Sequence, residues 1–553
     1  MGKTLVLGNE QTKKWSESLN NSHFIQMPVF SLGEDGERKL CEFVINNIDS
    51  DNRAFVVDID EISKPELCLA FAVAIRLSIL DIKSAALSPI LFISRATQDI
   101  LTGYKYSPII LTGSIAFDLP ENASSALDVM VPLSPSEYKT RFLDVIKIIP
   151  NATEGRHSLA NQWGASVLDK LMNQGAPSGN PILRSAEKSL YFKYEYVQTI
   201  NVPDFLSGKQ QIQYNMLNRP AINAQGKRIL LIDDEADKGW EYVLKKLIIT
   251  NEGDFSVIDH KAKDFNDFSK EEREDITNGG YDLVFLDLRM DGSEEENVYK
   301  PEDFSGMKIL KQIKKTQKGV QVIMFTASNK AWNLKALLDE GADGYYIKES
   351  PEYKFSLGFS LANYDALRKN ISDCLKRSYL REIDNQIKTI KKDFNRTHGD
   401  TTNFKNSIIR QLELSFELLN AGRFEFAFIT LYQIIELVND QYLDRDDNNV
   451  WYIIDTDEDA KNWTTQNFKH ECVESQFTED DKRKFPEWKK LAVLYYQLWK
   501  QEDKKFGYKV QTLIDERNKF MHNKIKKSSI IHNEKGYIEL LDVIEEIVKL
   551  ICG

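Results

Sequence analysis

The sequence contains no uninterrupted apolar run that approaches the length of a membrane-spanning helix. It also has only five cysteines, and none of them has the C-x-x-C spacing that is typical of zinc sites and redox motifs. Scattered cysteines of this kind are typical of reduced thiols in a cytoplasm. The first residues, MGKTLVLGNEQ, lack the extended apolar segment of a secretory signal. We therefore expect a cytoplasmic protein without a membrane anchor, a disulfide framework or a zinc site.

Positive charge is also in deficit. Lysine and arginine together number 72 and aspartate and glutamate 84, which gives a formal net charge of −12 at pH 7. This balance argues against a broad surface that coats nucleic acid, although a local RNA site remains compatible with it. No helix-turn-helix with a basic recognition helix is evident, which disfavours a transcription factor. A chain of 553 residues is too long for one core and predicts three or four domains.

Four apolar runs between residues 227 and 348 end in residues that can carry chemistry. The runs are KRILLIDDE (227–235), YDLVFLDLRM (281–290), VQVIMFTA (320–327) and GYYIK (344–348). Their polar ends are, in chain order, Asp233 with Asp234, Asp287, Thr326 and Lys348. Continuous apolar runs of this length are typical of strands that are buried on both faces of a parallel sheet.

The carboxyl ends of parallel strands meet at the edge of the sheet where α/β proteins bind ligands. Three carboxylates at that edge repel one another unless a hard cation such as Mg2+ lies among them. With the cation in place, Asp287 can attack a phosphoryl group, because the metal neutralises charge on both partners. Thr326 and Lys348 can each bind an oxygen of the resulting aspartyl phosphate.

Residues 226–352 resemble the receiver domain of two-component response regulators, because the four motifs occur in the order of that family. The resemblance implies a flavodoxin-like (α/β)5 fold with Asp287 as the phosphoacceptor. It also implies that Asp233, Asp234 and Asp287 hold Mg2+, and that a histidine kinase or another phosphodonor is the partner.

The same resemblance assigns the sensing residues. It implies that Thr326 and Lys348 sense the phosphoryl group and that Tyr345, three residues before the lysine, is the aromatic switch. The sequence departs from the family pattern at two loops. Asp291 stands where proline usually follows, with an acidic insert at 293–304 after it, and Glu349 stands where proline usually follows the lysine. These departures leave the acceptor set intact.

Residues 1–150 alternate short apolar runs with amphipathic stretches, which predicts another parallel α/β module. The predicted strands are residues 4–8, 24–30, 54–60, 89–94 and 108–114, and the predicted helices are 37–48 and 65–80. Asp58 and Asp60 end a strand, as in a degenerate receiver. However, no acidic pair follows the first strand and no convincing lysine follows the fifth. We therefore prefer a sensory or dimerising module to a second phosphorylation site.

Residues 151–225 form a predicted helical and linker region. The stretch 154–172 is helical, with apolar residues at four-residue spacing that predict one packed face. Those residues are Leu159, Trp163, Val167 and Leu171. His157 near its start is compatible with a phosphorelay histidine, but a structural or capping role is the preferred interpretation.

Residues 353–399 are predicted connector helices, with 364–394 helical. An a/d seam of two heptads recurs there. Its members are Leu380, Ile383, Ile387, Ile390 and Phe394. The seam fits either a dimerising connector or a helix that packs on its own chain. Residues 398–402 (HGDTT) form a polar break before the last domain.

Residues 400–553 form a predicted all-α domain with residues 444–485 as a loop. Its segment DERNKFMHN contains Arg517, Asn518 and His522. Arg517 lies on an apolar stripe with Val510, Leu513, Ile514 and Met521, and a charged residue there needs a partner or an interface. A two-fold dimer would supply one and would collect two arginines and two histidines in one cleft. Such a cleft suits RNA cleavage without a metal, because histidine moves protons and arginine stabilises phosphate charge.

The R-N-x-x-x-H motif in this helical domain resembles that of the HEPN ribonucleases, and residues 422–443 resemble the corresponding helix of CRISPR-ancillary members. The resemblance implies a composite active site with Arg517, Asn518 and His522 from each chain of a homodimer. Glu436 is a candidate supporting residue. The alternative is a plain helix end, with Arg517 paired to Asp515 or Glu516 and His522 closing the helix before Asn523.

The order of these parts predicts a phosphorylation-controlled response regulator whose output domain cleaves RNA, because receivers are bistable elements that shift on phosphorylation. A stress or phage-defence role follows by analogy alone. Two alternatives stay open. One is a non-catalytic regulator whose helical domain binds a partner protein or a nucleotide, and the other is a phosphate-sink receiver that only drains a kinase.

Overall fold

The computed structural model describes residues 3–95, 101–150, 156–209, 219–291, 300–327, 331–396, 402–445, 451–454, 486–503, 505–522 and 529–552. The chain divides into two compact units. One comprises residues 1–312 and 321–376, and the other comprises 313–320 and 377–553. No helix within these described ranges is long and apolar enough to cross a membrane.

The first unit begins with a five-stranded parallel sheet in the order β2-β1-β3-β4-β5. Its strands are β1 Lys3–Gly8, β2 Ser22–Gln26, β3 Asn52–Asp58, β4 Ile90–Ile93 and β5 Ile115–Asp118. Its helices are α1 Glu10–Ser16, α2 Glu34–Asn47, α3 Ile59–Ile62, α4 Pro65–Leu77, α5 Ile79–Ile82 and α6 Ala123–Val129. The core lies between the sheet and helices such as α4, which is buried from Leu67 to Leu77.

Two strand predictions in this sheet differ from the structure. The strand predicted at 108–114 is wrong, because Ser107–Leu111 forms a 3₁₀ turn and the fifth strand starts later, at Ile115. Pro108 explains the turn, since proline lacks an N–H donor and its fixed φ suits the first positions of a helical turn. The second strand ends at Gln26, shortly before Pro28, so the predicted extension to residue 30 is also wrong.

Four helices connect this sheet to the next one. They are α7 Arg156–Met172, α8 Pro181–Glu187, α9 Leu190–Thr199 and α10 Val202–Leu206. Helix α7 buries two faces instead of the single predicted face. Leu159 and Trp163 pack against Phe192 on one side, while Ala165 and Leu168 join the core of the second sheet on the other. His157 lies in α7, but its side chain lies outside the described residues.

The second sheet is also five-stranded and parallel, in the order β9-β7-β10-β11-β12. Its strands are β7 Ile229–Ile232, β9 Phe255–Ile258, β10 Leu283–Asp287, β11 Gln321–Thr326 and β12 Gly344–Ile347, and a short parallel pair, β6 Ile222–Asn223 with β8 Ile248–Ile249, accompanies it. The helices are α11 Trp240–Leu247, α12 Lys270–Asn278, α13 Ser305–Thr316, α14 Ala331–Asp339 and α15 Leu357–Lys376.

Both sheets place the second strand at one edge and the first strand beside the third, which is the flavodoxin-like order 2-1-3-4-5. In the second sheet β7, β10 and β11 are buried along their whole length, as expected of apolar runs covered on both faces. Local signals set the helices: Ser269 and Glu272 form a reciprocal capping box at the start of α12. The structure thus has the parallel five-stranded sheet that the sequence predicts for residues 226–352.

The second unit is built largely of helices. They are α16 Tyr379–Arg396, α17 Thr402–Asn420, α18 Phe424–Tyr442, α19 Glu487–Val493, α20 Phe506–Met521 and α21 Glu534–Cys552. It departs from the all-α prediction in one place, where β13 Leu443–Arg445 pairs antiparallel with β14 Trp451–Ile453. The loop predicted at 444–485 therefore begins with a short ladder, and residues 446–450 and 455–485 lie outside the described residues.

The connector region consists of two helices, α15 and α16, because a turn at residues 377–378 separates them. The five seam residues of α16, from Leu380 to Phe394, are buried in the core of the second unit. The dimerising interpretation of this seam is wrong, because its apolar side chains already pack inside their own chain. Of the polar break at 398–402, residues 398–401 lie outside the described part, and α17 begins at Thr402.

Candidate functional site

Three acidic side chains meet at the carboxyl edge of the second sheet. Asp233 and Asp234 directly follow β7, and Asp287 ends the neighbouring strand β10. This is the switch point between the first and third strands, where ligands bind in doubly wound sheets. One oxygen from each carboxylate lies within 4.8 Å of the others. Residues that the sequence predicted from separate motifs are therefore adjacent in the structure.

Lys348 closes this cluster from the end of β12. Its ammonium Nζ lies 2.8 Å from Asp233 Oδ2 and 3.0 Å from Asp287 Oδ1. The ion pairs are withdrawn from water, since Asp233, Asp287 and Lys348 are 0%, 3% and 4% exposed. Burial alone would lower the pKa of Lys348, but the carboxylates of Asp233 and Asp287 outweigh it and raise that pKa above its usual value. Lys348 is therefore charged at neutral pH.

One ammonium does not balance three carboxylates. Burial raises the pKa of Asp233, since Lys348 compensates only part of the cost of keeping that carboxylate charged. Asp287 Oδ2 is buried and makes no hydrogen bond within the described residues. Clustered carboxylate oxygens with a surplus of negative charge are the donor set that Mg2+ prefers. Asp233, Asp234 and Asp287 thus fit the cation that the sequence predicted.

Thr326 and Tyr345 occupy the neighbouring strands. Thr326 ends β11, directly after the residue that pairs with Asp287, and is 1% exposed. Its carbonyl accepts a hydrogen bond from the Lys348 backbone N–H at 2.7 Å, so the two predicted sensing residues lie side by side. Tyr345 lies half-buried in β12, where the side-chain amide of Asn370 donates to its carbonyl at 3.0 Å. Its role as a switch remains a prediction.

The start of α13 packs against the backbone of Asp287 and of the residues that follow it. A Cβ at Gly306 would lie 2.0 Å from the Asp287 carbonyl oxygen, so only glycine permits this approach. The Met290 N–H donates to Ser305 Oγ at 2.8 Å. Of the predicted acidic insert at 293–304, residues 293–299 lie outside the described residues, and Pro301–Asp303 forms a 3₁₀ turn that leads into α13.

Two residues of this site were not predicted from the sequence. Asn161 on α7 accepts hydrogen bonds through Oδ1 from Lys348 Nζ at 2.9 Å and from the Trp240 indole N–H at 2.8 Å. Trp240 opens α11 and packs edge-on against Phe325 and Tyr346. No motif links Asn161 to the sheet, because it precedes Lys348 by 187 residues and lies on a separate helix.

The first sheet carries an incomplete counterpart of the same site. Asp58 ends its third strand as Asp287 ends that of the second sheet, and the strand registers place Ser94 where Thr326 stands. The other positions differ. Gly8 and Asn9 stand in place of the acidic pair, and Pro120 stands in place of the lysine. At these positions the first sheet thus lacks the acidic pair that would hold a cation beside Asp58 and the lysine that would bind a phosphoryl oxygen.

The Asp58 carboxylate is instead occupied by its own fold. Its Oδ2 accepts hydrogen bonds from Thr12 Oγ1 at 2.9 Å and from the Trp15 indole N–H at 3.2 Å. Burial raises the pKa of Asp58, although these bonds and the Glu61 N–H favour the charged form. Asp60 accepts from Ser94 Oγ at 3.0 Å. These contacts give both acids a structural role. The preference for a module without a phosphorylation site stays a prediction.

In the second unit, Arg517 has partners within its own chain. Its Nη2 lies 3.3 Å from Glu436 Oε1, its Nη1 donates to Asn518 Oδ1 at 3.1 Å, and its guanidinium lies 5.0 Å from the Tyr432 ring centre. Arg517 thus finds within its own chain the partner that a charged residue on an apolar stripe needs, and the two-fold dimer remains a prediction. Burial raises the pKa of Glu436, and Arg517 opposes that rise.

His522 lies apart from this arginine cluster. It is the exposed C-terminal cap of α20, and its backbone N–H donates to the Asn518 carbonyl at 3.1 Å. Its side chain makes no hydrogen bond to any residue that the structure describes. The structure therefore brings Arg517, Asn518 and Glu436 together and leaves His522 at the end of the helix, open to solvent.

The comparisons with known proteins assign the part of the chain that carries this sheet. A sequence-family model described as "Response regulator receiver domain" matches residues 229–355, and this part of the chain is such a domain. The predicted receiver is thus confirmed. Receiver domains generally bind Mg2+ at the phosphorylation site, and they imply a phosphodonor partner such as a histidine kinase.

No curated protein matches the chain. Among solved structures, the chain is similar to the crystal structure of a two-component system response regulator/GGDEF domain protein, with 10% sequence identity and a TM-score of 0.17. The match covers 68% of this chain and 99% of the other. A likeness at this TM-score does not extend the assignment beyond the receiver. None of these comparisons matches the helical domain to a ribonuclease family.

Proposed function

We propose that this chain is a response regulator in which phosphorylation of Asp287 controls an RNA-cleaving helical domain. The observation that carries the first half is the convergence of Asp233, Asp234, Asp287 and Lys348 at one switch point. An acceptor with an unbonded buried oxygen, flanked by two acids and one ammonium, is suited to phosphoryl transfer.

In the proposed reaction, a carboxylate oxygen of Asp287 forms a bond to phosphorus. The bond between phosphorus and the leaving group of the donor breaks, and the leaving group departs with the electron pair. Mg2+ held by Asp233, Asp234 and Asp287 would neutralise charge on the carboxylate and the phosphoryl oxygens. Lys348 and Thr326 then bind phosphoryl oxygens. The movement of these two side chains is the change that is transmitted to the rest of the chain.

The second half of the proposal rests on the arginine cluster. Glu436 and Tyr432 hold the Arg517 guanidinium, and Asn518 orients one of its nitrogens. A guanidinium held in this way is preorganised to bind a phosphodiester. An exposed His522 can exchange protons with a ribose hydroxyl or a leaving oxygen. Two chains would together supply both groups of one active site, and a stress or phage-defence role would fit by analogy.

The non-catalytic alternative also has an observation in its favour. Arg517 is already engaged by an acid and an aromatic ring of its own chain, as a structural arginine would be. In that case the helical domain binds a partner protein or a nucleotide, and the receiver controls its association.

The test is RNA cleavage by the purified chain with and without Mg2+ and acetyl phosphate. The variants are His522→Ala, Arg517→Ala and Asp287→Ala, with Lys519→Ala as the control on the exposed side of α20. We expect cleavage to fall at least about a hundredfold in His522→Ala, as loss of a general acid or base does. We also expect the response to acetyl phosphate to disappear in Asp287→Ala while Lys519→Ala behaves as wild type.

Cleavage that is indifferent to His522 and Arg517 would overturn the ribonuclease assignment. No cleavage in any condition, with Asp287 still labelled, would favour the binding alternative. In that event, the mass of the complex with and without beryllofluoride tests whether phosphorylation controls association.

A further inference from the structure

A helix from outside the receiver domain lies against its acceptor site. Helix α7, Arg156–Met172, ends more than fifty residues before the matched domain starts at residue 229. Even so, its Asn161 is 2% exposed and accepts a hydrogen bond from the ammonium of Lys348. Asn161 is thus part of the site that the phosphoryl group has to enter.

The position of Asn161 matters because Lys348 has to change partners when it binds a phosphoryl oxygen. An ammonium has three N–H donors. In the structure, Nζ lies 2.8 Å from Asp233, 3.0 Å from Asp287 and 2.9 Å from Asn161. To bind a phosphoryl oxygen, Lys348 has to give up one of them. Asn161 is the neutral partner, and charge-assisted bonds between ions are the stronger ones, so the bond to Asn161 is the one that yields.

The cavity next to Asp287 also involves α7. The cavity beside the acceptor is lined by Ala160, Asn161, Asp287, Leu288, Arg289, Ala327 and Lys348 and has a volume of about 30 Å³. That volume holds one or two waters but not a phosphoryl group with its donor. Two of the lining residues belong to α7. Helix α7 therefore forms part of the wall of the cavity beside Asp287.

Close packing holds α7 in this position. A Cβ at Gly164 would lie 2.9 Å from the Trp240 ring and 3.1 Å from the Glu349 carbonyl oxygen, so the helix backbone packs closely against the receiver three residues after Asn161. One turn further along, Asp169 is fully buried and accepts a 2.7 Å contact from Lys246 of α11. The part of α7 that follows Asn161 is thus held against receiver residues at two positions.

We propose that α7 is a built-in cap on the acceptor site and that Asn161 is the positioning residue that holds Lys348 in the unphosphorylated state. The inference rests on the proposed role of Asp287 as acceptor. The cap slows phosphorylation, and phosphorylation in turn draws Lys348 to the phosphoryl oxygen and releases Asn161. Release of α7 then transmits the signal to the helices and the first sheet that lie upstream in the chain.

The test is the rate at which acetyl phosphate with Mg2+ labels Asp287 in the full chain. Asn161→Ala removes the hold on Lys348 and should speed labelling by about tenfold or more, the usual effect of a hydrogen bond to a charged group. Asn161→Asp keeps the shape and adds a charge that binds Lys348 more tightly, so it should slow labelling. Gln162→Ala, on the neighbouring residue that lines a different cavity, is the control and should label at the wild-type rate.

Opposite effects of Asn161→Ala and Asn161→Asp on the labelling rate would distinguish a cap from structural damage. Structural damage would change the labelling rate of both variants in the same direction. A second readout uses the wild-type chain. With beryllofluoride and Mg2+, amide hydrogen exchange across residues 156–172 should speed up, and Asp287→Ala should abolish the change.

Equal labelling rates in all variants, together with unchanged exchange in α7, would overturn the cap and leave the acceptor role of Asp287 intact. Labelling that is slower in Asn161→Ala than in wild type would also overturn it, because Asn161 would then assist the transfer. No labelling of Asp287 in any variant, including Asn161→Ala, would contradict both the cap and the proposed function.

Discussion

Lys348→Met should destabilise the receiver domain and make its stability depend on Mg2+. The substitution keeps most of the side-chain volume but removes an ammonium that is 4% exposed and lies within 3.0 Å of two buried carboxylates. Removing one partner of a buried ion pair costs about 3–5 kcal/mol, because the other charge stays buried and uncompensated. Saturating Mg2+ should restore part of this loss, roughly 2.7 kcal/mol at a hundredfold excess over Kd, since the cation takes over the role of the lost charge.

The assay is hydrogen exchange of β7 and β10 in the full chain, in EDTA and in Mg2+, because it reports on this sheet separately from the helical unit. Lys308→Met is the matched control, since Lys308 is exposed on α13. In Lys348→Met, the free energy of opening should fall in EDTA and recover partly in Mg2+. Equal exchange in the two variants, or a Mg2+ effect no larger than in wild type, would refute the electrostatic account of the site.

Three further predictions concern single residues. Asp234→Asn should weaken Mg2+ binding at least about tenfold in a fluorescence titration, since a charged ligand is lost, whereas the nearby exposed Asp237→Asn should not. Gly306→Ala should lower the unfolding free energy by about 1–3 kcal/mol because its Cβ would overlap the Asp287 carbonyl, and Gly358→Ala, whose Cβ would meet nothing closer than 3.9 Å, is the control in the same thermal unfolding measurement. Burial raises the pKa of Glu349 from its usual 4.5 to about 7, so the folded chain keeps a proton that the unfolded chain has lost, and the stability of the folded state falls as pH rises between these values. Glu349→Gln should remove this fall, and the difference in Tm between variant and wild type should be larger at about pH 8 than at about pH 5; a constant difference would refute this assignment.

The receiver sheet was predictable because its strands are buried on both faces. Each apolar run, such as the one that ends in Asp287, predicts a strand and also identifies the residue at the carboxyl end of that strand. Parallel pairing then brings the ends together without further information. The edge strand β5 was misplaced for the opposite reason. Its four residues are only half-buried, and the more apolar segment before it begins with a proline that favours a turn.

Contacts between distant elements were not predictable. Asn161 is one of many polar residues on an amphipathic helix, and nothing local distinguishes it as a partner of Lys348. The partners of Arg517 illustrate a related limit. The sequence indicated that a charge on the apolar stripe of α20 needs a partner or an interface, and it left open which acid or chain supplies it; in the structure Glu436 on another helix is the partner. The sequence pattern of one helix shows that a charged residue on its apolar face needs a partner. It does not show which element of the fold carries that partner.

The most direct test of the account is to map the phosphoryl group after prolonged incubation of the full chain with acetyl phosphate and Mg2+. Asp58 and Asp287 end the third strands of two sheets with the same strand order, so peptide mass spectrometry compares them within one molecule. The account predicts a phosphoryl group on the Asp287 peptide, none on the Asp58 peptide, and none anywhere in Asp287→Asn. A label on Asp58, or an unlabelled Asp287 in both wild type and Asn161→Ala, would contradict it.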